Sequence, residues 1–528
     1  MNTNTNDQQA MLIFIVVMIL IAVLARRRWK PSTTAFGTAC WASENVLKAA
    51  GMLGNVGLVL GRTMSGKMIR VVRYCHVLLV GATGSGKGVS INIPILLSYF
   101  RGSVVVFDTK TDLEASCGKR RAAKGERIIR LAPFGNSRDT FNPLDAIHKE
   151  SRMLVDSARA VAEALVVRTG SEPDPHWNDK ASQVISAILV LVLMRFEGED
   201  RSLSSVQEIA SDAKTVAAAA DKLREMGGIP ARLGNQLKGL FDKEQNCTLS
   251  KEGAGVLSTV ARHLSFLDSE LVANSISHST FDPSILLKPG TTLFLQIPPS
   301  QLEAQKGLLR CWVSTLVRMI GAAGDERSGE VLFLIDEASA LGGSLSALEE
   351  ALVRGRSAGV RMLLAYQSTS QVQSAFKDKP TLLYDNCTTQ IYLGASSIET
   401  AERISKSLGE WTQVLEGYGE NTSTSHSWNE GGGGANQQNS RGSSFNYSVN
   451  GRALLKPDEV LTLSDDFLIA FQRAMPPILA RRIKWYQDPA FRAGVGMRAE
   501  TVVLWGLLAA AAALLVRAFA GGNVMLVP

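Results

Sequence analysis

Residues 81–88, GATGSGKG, have the residue types and spacing of a phosphate-binding loop. Glycines let successive backbone N–H groups curve around a phosphate, and a helix that starts after the loop points the positive end of its dipole at the same anion. Lys87 can then bridge the β- and γ-oxygens of a nucleoside triphosphate. The apolar run 77–80 before the loop and the helix-like stretch 91–100 after it supply the strand–loop–helix context that this motif requires.

One position departs from the general motif. Gly88 stands where a Ser or Thr hydroxyl ordinarily binds Mg²⁺. The hydroxyl of Thr83, Ser85 or Ser90, or a water molecule, would then have to occupy that position of the metal.

A second apolar run, 331–335, ends in two carboxylates, Asp336 and Glu337. Ligands of open α/β sheets bind outside the carboxyl ends of the strands, so this pair is expected to face the nucleotide. Asp336 would hold Mg²⁺, usually through water, and Glu337 would orient and deprotonate the attacking water. The alternative is an acidic helix cap that follows a strand.

Gln367 ends a further apolar run, 360–366. A glutamine beside the phosphates can sense the γ-phosphate and move the segment that follows it. Arg354, Arg356 and Arg361 lie just upstream, and an arginine that reaches into a neighbouring subunit's site could stabilise transition-state charge. Arginines on a surface helix or loop are more often simply solvated, so all three remain open.

Other polar positions have two interpretations each. Asp108 and Lys110 follow the apolar run 103–107 and could line the same sheet edge or only cap it. The basic stretches 118–130 and 480–485 could be solvated faces or could contact nucleic-acid phosphates.

The strands that carry these residues are widely separated in sequence. Between the last early strand, 127–131, and the next one, at 291–298, the chain has helical periodicity. We therefore predict an inserted all-α domain over 146–282. After the Gly/Ser/Asn-rich segment 419–450, which is typical of a flexible loop, strand character returns and is expected to close the sheet.

Composition limits the class of protein. The chain has 528 residues, a net charge of +7 and 45% hydrophobic residues, which excludes a disordered, collagen-like or disulfide-scaffold protein. The 6 cysteines and 6 histidines are dispersed, so a zinc site is not expected. The mild basic excess permits contact with nucleic acid without requiring it.

Both ends of the chain contain apolar runs. Residues 10–25 are uninterrupted apolar residues followed by three arginines, which predicts a membrane anchor with the body of the protein in the cytoplasm. The run within 499–518 predicts either a second, C-terminal transmembrane helix or a buried or interfacial helix.

Six segments, in the same order along the chain, resemble the motifs of type IV coupling proteins, the TraG/TraD-like ATPases of conjugation and type IV secretion. They are HVLLVGATGSGKG, VVVFDTKTDL, HWNDKASQ, FLIDEASAL, GRSAGVRMLLAYQSTSQV and RALLKPDEVLTL. The resemblance extends from about residue 60 to residue 492. A lysine followed by glycine, as at 87–88, is itself usual in that family.

The resemblance implies an α/β fold: a RecA/FtsK-like P-loop ATPase with a mostly parallel sheet flanked by helices, an inserted all-α domain and a membrane anchor. It implies that ATP and Mg²⁺ are the cofactors. The residues that it assigns to the nucleotide loop are Gly81, Ala82, Thr83, Gly84, Ser85, Gly86, Lys87 and Gly88. The catalytic residues that it implies are Lys87, Glu337, Gln367 as the sensor and Arg356 as the intersubunit arginine, with Asp336 at the metal.

The family links a relaxase–DNA complex to a secretion channel. The partners expected from the resemblance are therefore single- and double-stranded DNA bound without sequence specificity, relaxosome proteins, channel components and further copies of the chain in a hexamer at the bacterial inner membrane. Delivery of effector proteins is an alternative, as is a nucleotide switch without turnover. Family members commonly have two N-terminal spans, whereas one is found here, and the C-terminal apolar run is not a usual family feature.

The expected domain organisation follows from these patterns. It comprises an anchor over 1–30, a juxtamembrane segment over 31–75, a nucleotide-binding domain over 76–145 and 283–492, the all-α insertion over 146–282 and the C-terminal helix over 499–518.

Overall fold

The computed structural model describes residues 11, 14–18, 34–168, 172–242, 248–343, 345–377, 379, 381–427 and 436–492. These residues form two compact units. The smaller contains the described residues up to Trp41 together with Ala401–Leu461, and the larger contains Ala42–Thr400 and the described residues from Thr462 onwards. All of the predicted nucleotide-site residues lie in the larger unit.

Thirteen strands are described. They are β1 (Leu58–Arg62), β2 (Met68–Val71), β3 (Val77–Val80), β4 (Ser103–Phe107), β5 (Arg127–Leu131), β6 (Thr291–Leu295), β7 (Val331–Ile335), β8 (Val360–Tyr366), β9 (Thr389–Tyr392), β10 (Glu410–Ser427), β11 (Asn436–Ala453), β12 (Phe467–Gln472) and β13 (Ile478–Arg481).

The described α-helices are α1 (Glu44–Ala49), α2 (Ile93–Ser98), α3 (Asp112–Ala122), α4 (Leu154–Leu165), α5 (His176–Arg195), α6 (Leu203–Ser211), α7 (Ala213–Glu225), α8 (Gly228–Lys238), α9 (Lys251–Leu264), α10 (Glu270–Ser275), α11 (Lys306–Ala322), α12 (Ser346–Arg354), α13 (Thr369–Ala375), α14 (Leu382–Asn386), α15 (Ile398–Leu408), α16 (Pro457–Leu461) and α17 (Pro489–Arg492).

Eleven of the described strands form one sheet in the order β2-β1-β13-β12-β9-β3-β8-β7-β4-β6-β5. The seven strands from β9 to β5 are parallel to one another, whereas β2, β1, β13 and β12 pair antiparallel, as does β12 with β9. Every residue of β3, β4, β6 and β7 is buried, because parallel strands are covered on both faces. This explains why these strands are continuous apolar runs in the sequence, and the predicted mostly parallel sheet is confirmed.

The sheet also contains residues that we expected to lie outside it. Strands β1 and β2 pair with each other, and β1 pairs with β13 at Arg62 and Arg481. The expected boundary at residue 76 is therefore wrong, since the nucleotide-binding unit already includes 58–71. The sequence signal was weak because β2, with the sequence MIRV, is only four residues long and alternates between half-buried and buried positions.

The segment 419–450 also differs from its expected form. Its described residues belong to β10 and β11, which form a continuous antiparallel ribbon from Glu410–Ala453 to Ser427–Asn436 in the smaller unit. Thr38 adds an isolated bridge to Trp411 at the base of this ribbon. Polar, glycine-rich composition predicted a loop, but long antiparallel pairing satisfies the backbone hydrogen bonds of such a segment without an apolar core.

Helices α4 to α10 follow one another between β5 and β6. Helix α5 forms their centre, and ten consecutive residues from Val184 to Leu193 are buried. Among the described helices it is the one that is long and apolar enough to cross a membrane, but 72% of its apolar window is buried, as in a core helix of a soluble domain. The predicted anchor over 10–25 lies mostly outside the described residues, of which 14–18 are helical and exposed. The run at 499–518 lies entirely outside them.

An ion pair with a fully buried arginine stabilises the outer part of the sheet. The Arg121 side chain on α3 is inaccessible to solvent and pairs with Glu126 at 2.7 Å. The same guanidinium donates to the hydroxyl of Thr292 on β6 at 2.7 Å and to the carbonyl of Tyr99 at 3.0 Å. Arg121 therefore ties α3 both to β6 and to the end of α2.

Replacement of Glu126 by alanine is expected to lower the free energy of unfolding by about 3–5 kcal/mol, because it leaves the buried Arg121 charge uncompensated. Arg130→Ala removes the more exposed ion pair with Glu114 on the same helix and is expected to cost less than about 1 kcal/mol. Urea unfolding of the full chain compares the two variants. Equal losses would contradict the structural importance of the buried pair.

Candidate nucleotide-binding site

The register of the central strands places the predicted site residues at one edge of the sheet. Val80 of β3 pairs with Tyr366 of β8, so Gly81 and Gln367 follow side by side. Phe107 of β4 pairs with Ile335 of β7 in the same way, which brings Asp108 next to Asp336. Strand β8 continues two residues beyond the end of β7, since Ile335 pairs with Leu364. The loop glycine, the glutamine and the two carboxylates therefore converge at one edge of the sheet, with the glutamine beyond Asp336.

The phosphate loop has the backbone that its glycines predict. Gly84 and Gly86 have φ angles of 80° and 83°, a left-handed conformation that disfavours residues with a side chain. The Lys87 ammonium donates to the carbonyls of Gly81 at 2.6 Å and Ala82 at 3.3 Å. Burial lowers the pKa of Lys87, although Asp336 and Glu337 act in the opposite direction.

The helix after the loop starts with a π-helical turn, Gly88–Asn92, which continues into α2. A Cβ atom at Gly88 would find only Leu113 Cδ2 within reach, at 4.0 Å. A lack of space for a side chain therefore does not explain why glycine replaces the usual hydroxyl residue. Of the hydroxyls that could replace it at Mg²⁺, that of Thr83 already donates a hydrogen bond to Gln367.

A continuous chain of hydrogen bonds connects the loop to the predicted catalytic carboxylate. The Thr83 hydroxyl donates to Gln367 Oε1 at 3.1 Å, and Gln367 Nε2 donates to Glu337 Oε2 at 2.9 Å. The other Glu337 oxygen accepts from the Ser339 hydroxyl. The backbone N–H of Gln367 donates to Gln371 Oε1 at 2.8 Å. Gln367 thus lies between the phosphate loop and Glu337, the position required of a residue that senses the phosphates.

A site residue that sequence reasoning missed is Asn92. It is fully buried on the helix after the loop, and its side-chain amide donates to Asp336 Oδ1 at 2.6 Å. The available signal was a lone amide within the apolar stretch INIPILL. Asn92 orients the Asp336 carboxylate, whose pKa burial raises while the Lys87 charge lowers it.

Asp108 is buried at this edge of the sheet, beside Asp336, and also caps the helix that follows. One of its oxygens accepts from the backbone N–H of Glu114 at 2.9 Å, which caps α3. It also lies close enough to Asp336 for that charge to act on it. Burial is the main cause that raises the pKa of Asp108 to about 6.

The side chains present fit Mg²⁺ bound in the manner of nucleotide enzymes. Among the described residues no three His, Cys, Asp or Glu side chains converge into an all-protein metal cage. Mg²⁺ commonly keeps several waters and takes one or two carboxylates together with phosphate oxygens. The half-buried Asp336 is positioned to be such a carboxylate.

Comparison with known proteins agrees with this geometry. Residues 40–502 match the model of a family described as type IV secretory system conjugative DNA transfer. The chain belongs to this family.

Among its relatives, the VirD4 protein of Rhizobium radiobacter is 27% identical over 475 residues, covering 86% of this chain and 64% of the relative. The conjugal transfer protein TraG of Escherichia coli is 25% identical over 520 residues, covering 88% and 79%. The chain spans 64–66% of the length of the VirD4 relatives from three Rhizobium and Agrobacterium species.

Solved structures of the conjugative coupling protein TrwB share the fold. The unbound form has a TM-score of 0.59 at 18% identity and covers 86% of this chain and 94% of TrwB. The complex of TrwB with ADP and Mg²⁺ has a TM-score of 0.58, also at 18% identity, and covers 86% and 95%. The RecA-like P-loop ATPase fold predicted for this DNA-transfer family member is thereby confirmed.

The structure distinguishes the three arginines upstream of Gln367. Arg361 pairs with the half-buried Glu330 at 3.2 Å, and Arg354 lies 3.7 Å from Glu350. Arg356 is exposed, and no hydrogen bond or ion pair of its side chain occurs within the described residues. Arg356 is thus the most available of the three for a neighbouring subunit.

The basic stretches are only partly available for nucleic acid. In 118–130, Arg121 is buried with Glu126, Arg130 pairs with Glu114, and Arg120 donates to the carbonyl of Phe491 at 2.5 Å. In 480–485, Arg482 is buried. The interpretation of these stretches as solvated faces or DNA contacts therefore fails for their central arginines, which bind protein groups.

The raised pKa of Asp108 predicts a pH effect on stability. Because it lies at about 6, above the 3.8 of a free aspartate, the folded protein binds this proton more tightly than the unfolded chain does. Ionisation therefore lowers stability as the pH rises from about 4 to about 6. Asp108→Asn, which cannot ionise, is expected to gain about 3 kcal/mol relative to the wild type across that window. Urea unfolding of both chains without nucleotide measures this, and parallel pH profiles would contradict it.

Proposed function

We propose that this protein is a membrane-anchored ATPase that acts as a coupling protein, recruiting a relaxase–DNA substrate to a type IV secretion channel and driving its transfer in bacterial conjugation. The hydrogen-bond chain from Thr83 through Gln367 to Glu337 is the observation that carries the ATPase part of this proposal. Family membership carries the transfer part, since VirD4, TraG and TrwB relatives are named for conjugal transfer or coupling.

In this proposal residues 81–88 hold the phosphates of ATP through their backbone N–H groups, and Lys87 leaves the carbonyls of Gly81 and Ala82 to bind the β- and γ-oxygens. Glu337 accepts a proton from the attacking water. Gln367 keeps its hydrogen bond to the Glu337 carboxylate until a γ-phosphate bound near Thr83 changes the hydrogen bonds of Gln367. Asp336, oriented by Asn92, would hold Mg²⁺, usually through water. When bound, this ion neutralises charge on the β- and γ-phosphates.

Arg356 is proposed to complete the site of an adjacent subunit in a homohexamer, because it is exposed and follows α12 without a partner among the described residues. A switch without hydrolysis would not need a water-activating carboxylate, so the placement of Glu337 favours turnover.

The proposed location is the inner membrane, with the ATPase body in the cytoplasm. The apolar run 10–25, followed by Arg26, Arg27 and Arg28, supports this orientation. Single- and double-stranded DNA bound without sequence preference, relaxosome proteins and channel components are the proposed partners. Effector proteins are the alternative cargo of the same motor.

Glu337→Gln is expected to bind ATP with an affinity close to that of the wild type and to hydrolyse it at least about 100-fold more slowly, since a positioned general base contributes about 10²–10⁴ in rate. Equilibrium ATP binding and phosphate release on the purified full chain measure the two properties. Hydrolysis at the wild-type rate would show that another group is the base.

DNA is expected to stimulate the ATPase of the full chain, and Lys87→Ala is expected to abolish turnover both with and without DNA, because the phosphates lose their cation. Phosphate release is measured with single-stranded DNA, double-stranded DNA and no DNA. Turnover that does not respond to either DNA would favour effector proteins as the cargo. ATP binding without any turnover would favour the switch.

A further inference from the structure

Arg482, the residue directly after β13, is buried beside the phosphate loop. Only 4% of its side chain is exposed. Its Nη1 donates to the carbonyl oxygen of Ser85 at 2.9 Å, and its Nε donates to the carbonyl of Phe467 at 2.6 Å. One guanidinium therefore connects the middle of the phosphate loop to the start of β12, although the two segments are far apart in sequence.

The charge of this arginine is poorly compensated within the described residues. Its ion-pair partner is Asp465 at 3.6 Å, whose side chain is 96% exposed, and such solvated pairs contribute little. Burial lowers the pKa of Arg482, while Asp465 and Asp466 act against that shift. A buried cation without a buried counter-charge is costly to a folded protein.

Two polar atoms at the same contact are unsatisfied. Arg482 Nη2 and the hydroxyl of Ser85 are both buried and have no hydrogen-bond partner among the described residues. Nη2 lies against the turn after β9, where a Cβ at Gly394 would be 3.8 Å from it. Native structures leave few buried polar groups unpaired, and a bound water, ion or ligand is one explanation for such a group.

A polyphosphate bound by residues 81–88 would supply the anion that this region lacks. We infer that Arg482 is a positioning residue of the nucleotide site: it fixes the Ser85 carbonyl, and with it the curvature of the phosphate loop, and bound phosphate offsets its buried charge. The inference rests on the ATP binding proposed above. Arg482, which directly follows the last strand, would then contribute to nucleotide affinity although it lies outside the phosphate-loop motif.

This role predicts opposite effects on the free and the nucleotide-bound protein. Arg482→Met replaces an undercompensated cation by an apolar side chain of similar length, so the melting temperature without nucleotide is expected to stay the same or rise. The affinity for ATP is expected to fall about tenfold or more, because a charge-assisted contact is lost. The increase in melting temperature produced by ATP and Mg²⁺ should shrink accordingly.

The experiment compares the full-length wild type, Arg482→Met and Arg481→Met in thermal unfolding and in equilibrium binding of ATP and of inorganic tripolyphosphate, each with Mg²⁺. Arg481 is the matched control, because it is the adjacent arginine and is exposed. We expect Arg482→Met, but not Arg481→Met, to weaken ATP and tripolyphosphate to the same extent. The two ligands behave alike because the arginine acts through the loop that holds their phosphates.

Three results would overturn the inference. ATP affinity equal to that of the wild type would show that Arg482 does not position the loop. A lower melting temperature without nucleotide, together with an unchanged ATP-induced increase, would show a purely structural role. Weaker ATP binding with unchanged tripolyphosphate binding would place Arg482 at the nucleoside instead. If the wild type itself fails to bind ATP, the proposed function fails rather than this inference.

A second variant keeps the test valid if Arg482→Met does not fold. Arg482→Lys retains the charge but cannot donate to Ser85 and Phe467 with the same fork. Its affinities for ATP and tripolyphosphate are expected to fall together, by less than in the methionine variant. Unchanged affinities in Arg482→Lys, with no folded methionine variant, would count against the inference.

Discussion

The nucleotide site depends on the register of the parallel strands, which determines where each strand ends at one edge of the sheet. Val80 pairs with Tyr366, and Phe107 with Ile335, so the next residue of each strand emerges at one edge. A shift of one residue in either pair would turn every side chain of a strand to the opposite face. In a close-packed interior the differing sizes of the side chains on the two faces oppose that shift. The core of the protein therefore determines the distances between the phosphate loop, Gln367 and Glu337.

The second constraint on this edge of the sheet is the cost of removing its ionised side chains from water. The Arg482 side chain is buried and Lys87 is half-buried, and Asp336 and Asp108 are carboxylates whose pKa values burial raises. Each ionised group alone would favour water, and together they offset one another only in part. A ligand that carries both anionic phosphates and a divalent cation matches this distribution of opposite charges. Preorganised charges of this kind are what phosphoryl-transfer chemistry requires, since positioning and electrostatics provide most of its catalysis.

Local patterns predicted the strands and the residues at their ends, because a buried parallel strand is an apolar run and a phosphate loop has a fixed glycine spacing. They did not predict contacts between distant segments. Asn92 was hidden in an apolar helix, and Arg482 in a basic stretch that suggested a solvated face. The β10–β11 ribbon was missed because polar, glycine-rich composition carries no alternating apolar signal. The sequence also could not distinguish Arg354, Arg356 and Arg361, because their ion-pair partners lie elsewhere in the fold.

The order of the strands has a consequence for biosynthesis. Strand β3 leads into the phosphate loop, yet its neighbours in the sheet are β8 and β9, through the pairs of Val77 with Leu363 and Thr389. A ribosome that adds about 5–20 residues per second needs on the order of tens of seconds to make the intervening chain. During that time an apolar strand has no partner on either edge. The yield of folded protein therefore depends on how long this strand stays exposed as well as on the stability of the finished protein.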